Sequence, residues 1–329
     1  MKAITYRKYG PPEVLRLEEY PKPEPGGDEI LIKVQAVEAT KSDCEFRCSR
    51  FAVKWFWLPL RIATGVFRPR NPVLGGYFSG IVDRVGKNVT KFKKGDSVFG
   101  SAGLRLGAYA EYLCLKENAV IITRPANLDH IHSAAMGLGG FNALHFMRLA
   151  KIRKGESVLI NGAGASIGTF AVQIAKLMGA KVTAVDSAHK GEMLRSIGAD
   201  HFIDYQQEDF TKNGGRWDVI FNMVAGCSYS DCIKSLEPGG RYLMGNPRLI
   251  DMLRSFITPV HTDRRVYFAF APENRDALFE LKELIESGKI RPAVDKVYPL
   301  ADAAEAHKRV ESEERSGIVI LRAGDQAEF

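Results

Sequence analysis

The sequence lacks features that mark several large classes of protein. Its five cysteines form no CxxC pair and are odd in number, so they do not have the pattern of a disulfide framework. This cysteine usage favours a reducing, cytoplasmic location. Low-complexity tracts and internal repeats are also absent from the sequence, so we expect a folded globular protein.

Long apolar runs are missing as well. The most apolar stretch, residues 51–67, is shorter than the about 20 residues that a membrane-spanning helix needs, and it contains Lys54. We therefore expect no membrane span. Three aromatic residues of this stretch, Trp55, Phe56 and Trp57, could touch a membrane interface, but we favour buried packing or the wall of an apolar substrate pocket.

The net charge of +7 is not gathered into blocks, because lysine and arginine alternate with aspartate and glutamate along most of the chain. This pattern indicates a solvated surface, and we expect no nucleic-acid partner. Nucleic-acid binding would instead show an affinity that falls steeply with salt. A chain of 329 residues is long enough for two domains, each with its own core.

The first third of the chain is rich in strand signals separated by glycine and proline. Residues 29–37 (EILIKVQAV) alternate apolar and polar side chains, and residues 80–85 and 96–99 are also strand-like. These segments predict a compact β barrel with irregular connections.

From residue 157 the pattern changes to short β-branched runs that alternate with segments of helical period. Such alternation predicts βαβ units and a parallel sheet. The predicted strands are 157–160, 181–185, 201–203, 217–224, 241–244 and 266–270, with a turn at 238–240 before the fifth. Helices are predicted at 275–286 and 301–310, and a last strand, 318–321, is expected to return to the first domain.

The main chemical signal is the segment NGAGASIG at residues 161–168, between the first strand of the predicted parallel sheet and an amphipathic helix. Glycines here permit a tight turn and the close approach of a cofactor, and the helix N-terminus offers N–H donors to a pyrophosphate. The spacing departs from GxGxxG, so a plain structural turn is the alternative. We predict a dinucleotide-binding turn made by Gly162, Ala163, Gly164, Ala165, Ser166, Ile167 and Gly168.

An acid, Asp186, ends the next predicted strand about 20 residues after the turn, where a ribose hydroxyl would be bound. Its charge would repel a 2′-phosphate, which argues for NAD. Lys190 argues for NADP, although it is equally consistent with a solvated lysine at a helix start. The preference between NAD and NADP therefore stays open.

Motifs along essentially the whole chain resemble the quinone oxidoreductase branch of the medium-chain dehydrogenase/reductases. They include MKAITYRKYGPPEVL, GAYAEYLCL, the glycine turn, GADHFIDYQQEDF and AHKRVESEERSGIVIL, in this order. The resemblance implies an α/β protein with a GroES-like β-barrel catalytic domain at residues 1–122 and 267–329. A doubly wound Rossmann domain at 123–266 would bind NAD(P)H in the cleft between the two. Such relatives usually form homodimers through the last Rossmann strand, here residues 265–271.

The same resemblance implies further cofactor contacts. Tyr205 would lie against the adenosine end, with an ordinary surface tyrosine as the alternative. Asn222 and Val224 would approach the cofactor after the fourth strand of the sheet. Asn142 stands where many relatives have a threonine beside the nicotinamide.

Candidate catalytic residues come from the segment that faces the nicotinamide in this family. Thr40 or Lys41 could polarise the substrate carbonyl there. Tyr77, which replaces an acid common in relatives, could donate a proton. For each of these residues, a structural turn or a packed position in the core is the alternative.

Zinc ligands are absent from the places where zinc-bearing relatives carry them. A catalytic zinc needs three N, S or O ligands, and those relatives add a four-cysteine lobe. Here residues 74–80 read LGGYFSG in place of a His-Glu pair, and no histidine is near Cys44 and Cys48 in sequence.

We therefore predict a zinc-independent enzyme that transfers hydride from NAD(P)H to a quinone, an enone or a related small apolar carbonyl compound. Alcohol or aldehyde dehydrogenase activity is one alternative. A non-catalytic dinucleotide-binding protein is the other, because a fold does not guarantee a function.

Overall fold

The computed structural model of the protein describes residues 1–51 and 57–324, which form two large β-sheets with helices packed around them. The strands are β1 (Lys2–Thr5), β2 (Arg16–Glu19), β3 (Glu29–Ala39), β4 (Tyr77–Val85), β5 (Ser97–Ser101), β6 (Tyr112–Lys116), β7 (Val120–Thr123), β8 (Ser157–Asn161), β9 (Lys181–Asp186), β10 (His201–Asp204), β11 (Trp217–Asn222), β12 (Leu236–Met244), β13 (Arg265–Phe268), β14 (Val294–Pro299) and β15 (Ile318–Arg322). The helices are α1 (Lys41–Cys48), α2 (Trp57–Thr64), α3 (His130–Ala134), α4 (Gly137–Ala150), α5 (Ser166–Leu177), α6 (Gly191–Ser196), α7 (Tyr229–Lys234), α8 (Leu249–His261), α9 (Arg275–Glu286) and α10 (Ala303–Glu311).

The first sheet has seven strands and is mainly antiparallel, in the order β14-β15-β3-β4-β5-β7, with β6 also paired to β3. Strand β15 lies between β14 and β3, where Val319 stands opposite Ala39. The last strand of the described chain thus returns to the sheet built from the first residues, which confirms that expectation.

The second sheet has six parallel strands in the order β10-β9-β8-β11-β12-β13. This arrangement confirms the predicted βαβ units. The chain runs outward from β8 to β10 and then crosses back to β11, so strand order reverses between β8 and β11. In such sheets the crevice at the carboxyl ends of the two central strands is the usual ligand site. Asn161 and Asn222 end these strands in register with each other.

The two sheets share a hydrophobic core. Phe99 and Ile320 of the first sheet belong to the same buried cluster as Ile160 of the second and Phe170 of α5. Burial of apolar surface at this junction stabilises the contact between the two halves of the chain. The domain boundaries given above stay a prediction.

The turn predicted at residues 238–240 is wrong, because these residues lie within β12. Pairing between β11 and β12 shifts register there: Trp217 stands opposite Leu236, and the next pair is Val219 with Arg241. The extra residues form an irregularity in the strand, where a proline without an N–H group is tolerated.

The prediction that the apolar stretch 51–67 is buried is also wrong for the residues of it that the structure describes. Helix α2 has no buried residue, and the side chain of Trp57 is 43% exposed. The helix is held at the surface by polar contacts instead, since Trp57 Nε1 donates to Ser49 O at 2.9 Å and the Arg61 guanidinium lies over the Tyr9 ring. Trp55 and Phe56 lie outside the described residues. Among the described helices, none has the length and apolar character to cross a membrane.

Candidate active site

The glycine turn lies between β8 and α5, as the sequence predicts. Gly162 has φ of +85°, a conformation that side chains other than glycine rarely adopt. A Cβ at Gly168 would lie 2.4 Å from the carbonyl oxygen of Ala163, so the helix packs directly on the turn. The first N–H groups of α5 have no partner within the helix, and α5 begins five residues after the end of β8, next to β11. This is a suitable place for an anionic group.

Asp186 and Lys190 lie against this turn and bind each other. The Asp186 carboxylate accepts a hydrogen bond from Gly164 N at 2.7 Å and one from Ser187 N at 2.9 Å. Lys190 Nζ is 2.8 Å from Asp186 Oδ1, and both side chains are nearly buried. A Cβ at Gly164 would lie 2.4 Å from Lys190 Cδ, so this glycine makes room for the lysine. The negative charge of Asp186 and the positive charge of Lys190 therefore compensate each other. In the sequence, the first argued for NAD and the second for NADP.

Asn222 and Val224 lie on the other side of the turn. Asn161 Nδ2 donates to Asn222 Oδ1 at 2.9 Å, and the same oxygen accepts from Val224 N at 3.0 Å. A Cβ at Gly162 would be 3.5 Å from Val224 Cγ2. These residues therefore form one rigid border of the crevice, together with the glycine turn.

Tyr205 and Asn142 are less closely engaged. Tyr205 follows β10 and donates its backbone N–H to Asp186 O at 3.3 Å, while its side chain is 57% exposed. The backbones of the two residues are thus adjacent, and the Tyr205 side chain is at the surface. Asn142 lies in α4, where its Nδ2 donates to Leu138 O at 2.9 Å. The amide is thus bonded to its own helix.

Thr40 begins α1 as its N-cap, in a capping box with Asp43. Its hydroxyl donates to Asp43 Oδ2 at 2.6 Å and accepts from Asp43 N at 3.0 Å. Asp43 Oδ1 accepts from Gly75 N at 3.0 Å, so the cap also ties α1 to the turn before β4. Burial raises the pKa of Asp43, and the bonds from Thr40 and Gly75 oppose that rise. The hydroxyl proton of Thr40 is used within this cap.

Lys41 and Tyr77 differ in their surroundings. The Lys41 ammonium pairs with Glu313, and both side chains are about half exposed. The Tyr77 hydroxyl donates to Glu273 Oε1 at 2.5 Å, and Ser101 Oγ binds the other oxygen of that carboxylate. Burial, followed by the charge of Glu273, raises the pKa of Tyr77 well above its ordinary value. The phenol therefore keeps its proton across the physiological pH range.

Glu38 is an acid that the sequence reading missed. It lies near the end of β3 and is almost fully buried, and Ser166 Oγ of the glycine turn donates to its Oε1 at 2.8 Å. Burial raises the pKa of Glu38 to about 8, and the Ser166 bond opposes the rise. The only signal in the sequence was an acid within an otherwise buried strand. Glu273 gave no signal, since it lies 196 residues from Tyr77.

Cys44 has a histidine neighbour that the sequence could not show. Its Sγ is 3.4 Å from Nδ1 of His307, which is also 3.0 Å from Nη1 of Arg47. The Tyr109 hydroxyl lies 3.0 Å from His307 Nε2. Burial, together with the Arg47 charge, lowers the pKa of His307 to about 3, so the ring is neutral. This cluster fastens α1 to α10.

Within residues 1–51 and 57–324, no group of three or more His, Cys, Asp or Glu side chains is placed to hold a metal ion.

Comparison with known proteins gives consistent matches along the chain. Residues 26–125 match the family described as alcohol dehydrogenase GroES-like domain, and residues 197–321 match the family described as zinc-binding dehydrogenase. The chain is 31% identical over 336 residues to the NADPH-dependent alkenal/one oxidoreductase, chloroplastic, of Arabidopsis thaliana, covering 98% of this chain and 79% of that protein.

It is also 32% identical to the quinone oxidoreductase of Sus scrofa, covering 98% of this chain and 97% of that protein. Among solved structures, the quinone oxidoreductase from Coxiella burnetii superposes with a TM-score of 0.85 at 28% identity, covering 98% of this chain and 99% of that one.

Proposed function

Because this chain belongs to the medium-chain dehydrogenase/reductase superfamily, among the quinone oxidoreductase-like proteins, we propose that it transfers hydride from NAD(P)H to a quinone or an enone. The relatives are named for reduction of alkenals, enones and quinones, and they match nearly the whole length of this chain. The single observation that supports this most directly is the glycine turn at the β8–β11 crevice, where Gly162 has φ of +85°.

The residues at this crevice fit a dinucleotide. The N-terminus of α5 offers backbone N–H groups and a positive dipole end to a pyrophosphate. The turn from Gly162 to Gly168 allows the close approach, and Asn222 and Val224 would border the nicotinamide half. Tyr205, exposed beside Asp186, would pack on the adenosine. The bound dinucleotide would supply the hydride; the rest of the reaction depends on the residues of this chain.

The preference between NADH and NADPH depends on the buried ion pair of Asp186 and Lys190. In the sequence, Asp186 argued against a 2′-phosphate because of its charge. Since Lys190 compensates that charge at 2.8 Å, the electrostatic argument for NAD over NADP is removed. We propose that both reduced cofactors are accepted, with Asp186 and Lys190 supporting the turn on the adenosine side.

We propose Tyr77 as the hydrogen-bond donor that stabilises the negative charge developing on the substrate oxygen. Its raised pKa keeps the proton on the phenol, and a positioned O–H group stabilises a developing oxyanion. Glu273 and Ser101 hold the phenol in place. In the free protein Glu273 accepts the Tyr77 proton, and we propose that this proton turns to the substrate oxygen when the substrate binds. Thr40 is less suited because it is buried and its hydroxyl both donates and accepts within the helix cap, and Lys41 is less suited because Glu313 pairs with it at the surface.

We propose zinc-independent chemistry from the sequence, because LGGYFSG at 74–80 offers no ligand pair at the position used by zinc relatives.

We also propose a homodimer through β13. This strand is the edge of the parallel sheet, and the neighbouring α8 exposes Phe256 and Val260, the latter 76% exposed. A cytoplasmic location is part of the same proposal.

The proposal is tested by measuring NADH and NADPH binding from protein fluorescence, followed by cofactor oxidation with a panel of quinones, enones and aldehydes. Turnover with enones or quinones supports the reductase. Turnover confined to aldehydes would favour the alcohol dehydrogenase alternative, and cofactor binding without any turnover would favour a binding protein. Failure to bind either cofactor would refute the proposal.

A further inference from the structure

Two cysteine side chains meet at the carboxyl edge of the parallel sheet. Cys227 lies in the loop after β11, and Cys232 lies in α7. Their sulfur atoms are 3.2 Å apart. Cys227 is half-buried and Cys232 is fully buried, so Cys227 is the more accessible residue of the two.

The surroundings of the two thiols differ. The contact with Cys232 lowers the pKa of Cys227, whereas the same contact and burial raise the pKa of Cys232. The Tyr242 hydroxyl contacts the Cys232 sulfur, and Asn222 Nδ2 donates to that hydroxyl at 3.0 Å. A thiolate is the reactive form of cysteine. Because Cys227 is also the more exposed of the two, we take Cys227 as the nucleophile and Cys232 as the thiol that attacks it in a second step.

The local backbone allows the two sulfur atoms to approach further. A disulfide requires an S–S distance of about 2.05 Å, so the pair must close by roughly 1 Å. Cys232 is itself buried in α7, but Cys227 follows Gly226, at which an added Cβ would meet no atom within 4 Å. The loop carrying Cys227 has open space in which to make this small movement.

We propose that Cys227 and Cys232 form a redox modification site, which a hydroperoxide converts from a dithiol into an intramolecular disulfide. In the first step the Cys227 thiolate attacks a peroxide oxygen; the O–O bond breaks, giving a sulfenic acid and hydroxide, or the alkoxide of an organic peroxide. In the second step the Cys232 sulfur attacks the Cys227 sulfur. The S–OH bond breaks, the S–S bond forms, and the Cys232 proton leaves with the hydroxyl group as water. The peroxide is reduced, and the two thiols together lose two electrons.

The position of the site links it to the crevice. The loop that carries Cys227 follows Asn222, the last residue of β11, whose amide bonds both Asn161 and the Tyr242 hydroxyl. Oxidation would convert the thiol that the Tyr242 hydroxyl contacts, at the end of this hydrogen-bonded series, into a disulfide sulfur. The chemistry itself does not require a bound cofactor, so its test is independent of the proposed reductase activity.

The test treats the reduced full-length protein with hydrogen peroxide, then blocks remaining thiols and maps them by mass spectrometry. Both cysteines fall in one tryptic peptide, residues 217–234. We expect this peptide to become lighter by two hydrogens, to lose alkylation at both positions, and to recover on treatment with dithiothreitol. Cys48 and Cys114, the other half-buried cysteines, should react at least about tenfold more slowly.

Matched variants separate the two steps. In Cys232→Ser, Cys227 should stop at the sulfenic acid, which dimedone traps, because the second thiol is missing. The double variant Cys48→Ser/Cys114→Ser should form the disulfide at the wild-type rate. The proposal is overturned if wild-type Cys227 oxidises no faster than Cys48, or if it proceeds to a sulfinic acid while Cys232 stays alkylatable.

Discussion

Replacing Glu38 with glutamine should stabilise the protein at neutral pH. Glu38 is buried in β3, and burial raises its pKa from the ordinary value of 4.5 to about 8. At pH 7 the folded protein therefore holds this carboxyl group protonated, whereas the unfolded chain ionises it. Glutamine has the same shape, never ionises, and keeps the oxygen that accepts the hydrogen bond from Ser166.

The magnitude follows from the two pKa values. Because the folded pKa lies above the unfolded one, the contribution of Glu38 to stability is fully present below pH 4.5 and is lost as the pH rises toward 8. The loss is about 1.36 kcal/mol for each pH unit in that window. It amounts to about 3 kcal/mol at pH 7 and to under about 1 kcal/mol at pH 5.

The assay is urea unfolding of wild type and Glu38→Gln at a series of pH values between pH 5 and pH 8.5. We expect the two free energies of unfolding to be close at the acid end and to diverge steadily as the pH rises, with the variant the more stable. Ser166→Ala is the control, since it removes the hydrogen bond but leaves the acid. Its stability should still fall as the pH rises, and the fall should continue to a higher pH than in the wild type, because the Ser166 bond opposes the rise in the pKa of Glu38. Parallel curves for wild type and Glu38→Gln would refute the reasoning.

Three further predictions concern the turn, the ion pair and the phenol. Gly168→Ala would place a Cβ 2.4 Å from the Ala163 carbonyl oxygen, so we expect a loss of about 1–3 kcal/mol in urea unfolding; an unchanged midpoint would contradict the packing described. Lys190→Met leaves the Asp186 carboxylate buried without its cation and should cost about 3–5 kcal/mol, whereas the double variant with Asp186→Asn should regain much of that stability; no recovery would argue against the pairing. Tyr77→Phe should lower kcat with enones about 10²-fold or more while cofactor affinity, measured by fluorescence, stays the same; wild-type turnover would remove Tyr77 from the reaction.

The pattern of the sequence was sufficient to predict the parallel sheet and the turn at its centre. Buried parallel strands need continuous β-branched runs, and the helices between them need apolar residues at helical spacing, so both leave a local signal. The return of β15 to the first sheet was also predictable, because a strand so late in the chain has no place in the βαβ series. The motifs quoted for the superfamily agree with the comparisons along nearly the whole chain.

Local sequence patterns were less informative about which side chains are buried, because burial depends on the neighbours that the fold supplies. The stretch at residues 51–67 is apolar, yet in its described part α2 lies exposed, because hydrophobic content does not say which neighbours are available to cover a helix. Lys190 was consistent with a solvated lysine, but it is buried against Asp186, since Gly164 leaves space for its stem.

The sequence by itself determined the alternation of strands and helices in the parallel sheet and the place of the glycine turn, since each depends on residues close together in the chain, and the order of its motifs determined the superfamily. Only the tertiary structure decided which side chains meet across the sheets: Tyr77 with Glu273, Glu38 with Ser166, and Cys44 with His307. These contacts join residues more than a hundred positions apart. Their protonation depends on burial, a property of the folded protein that no local pattern records.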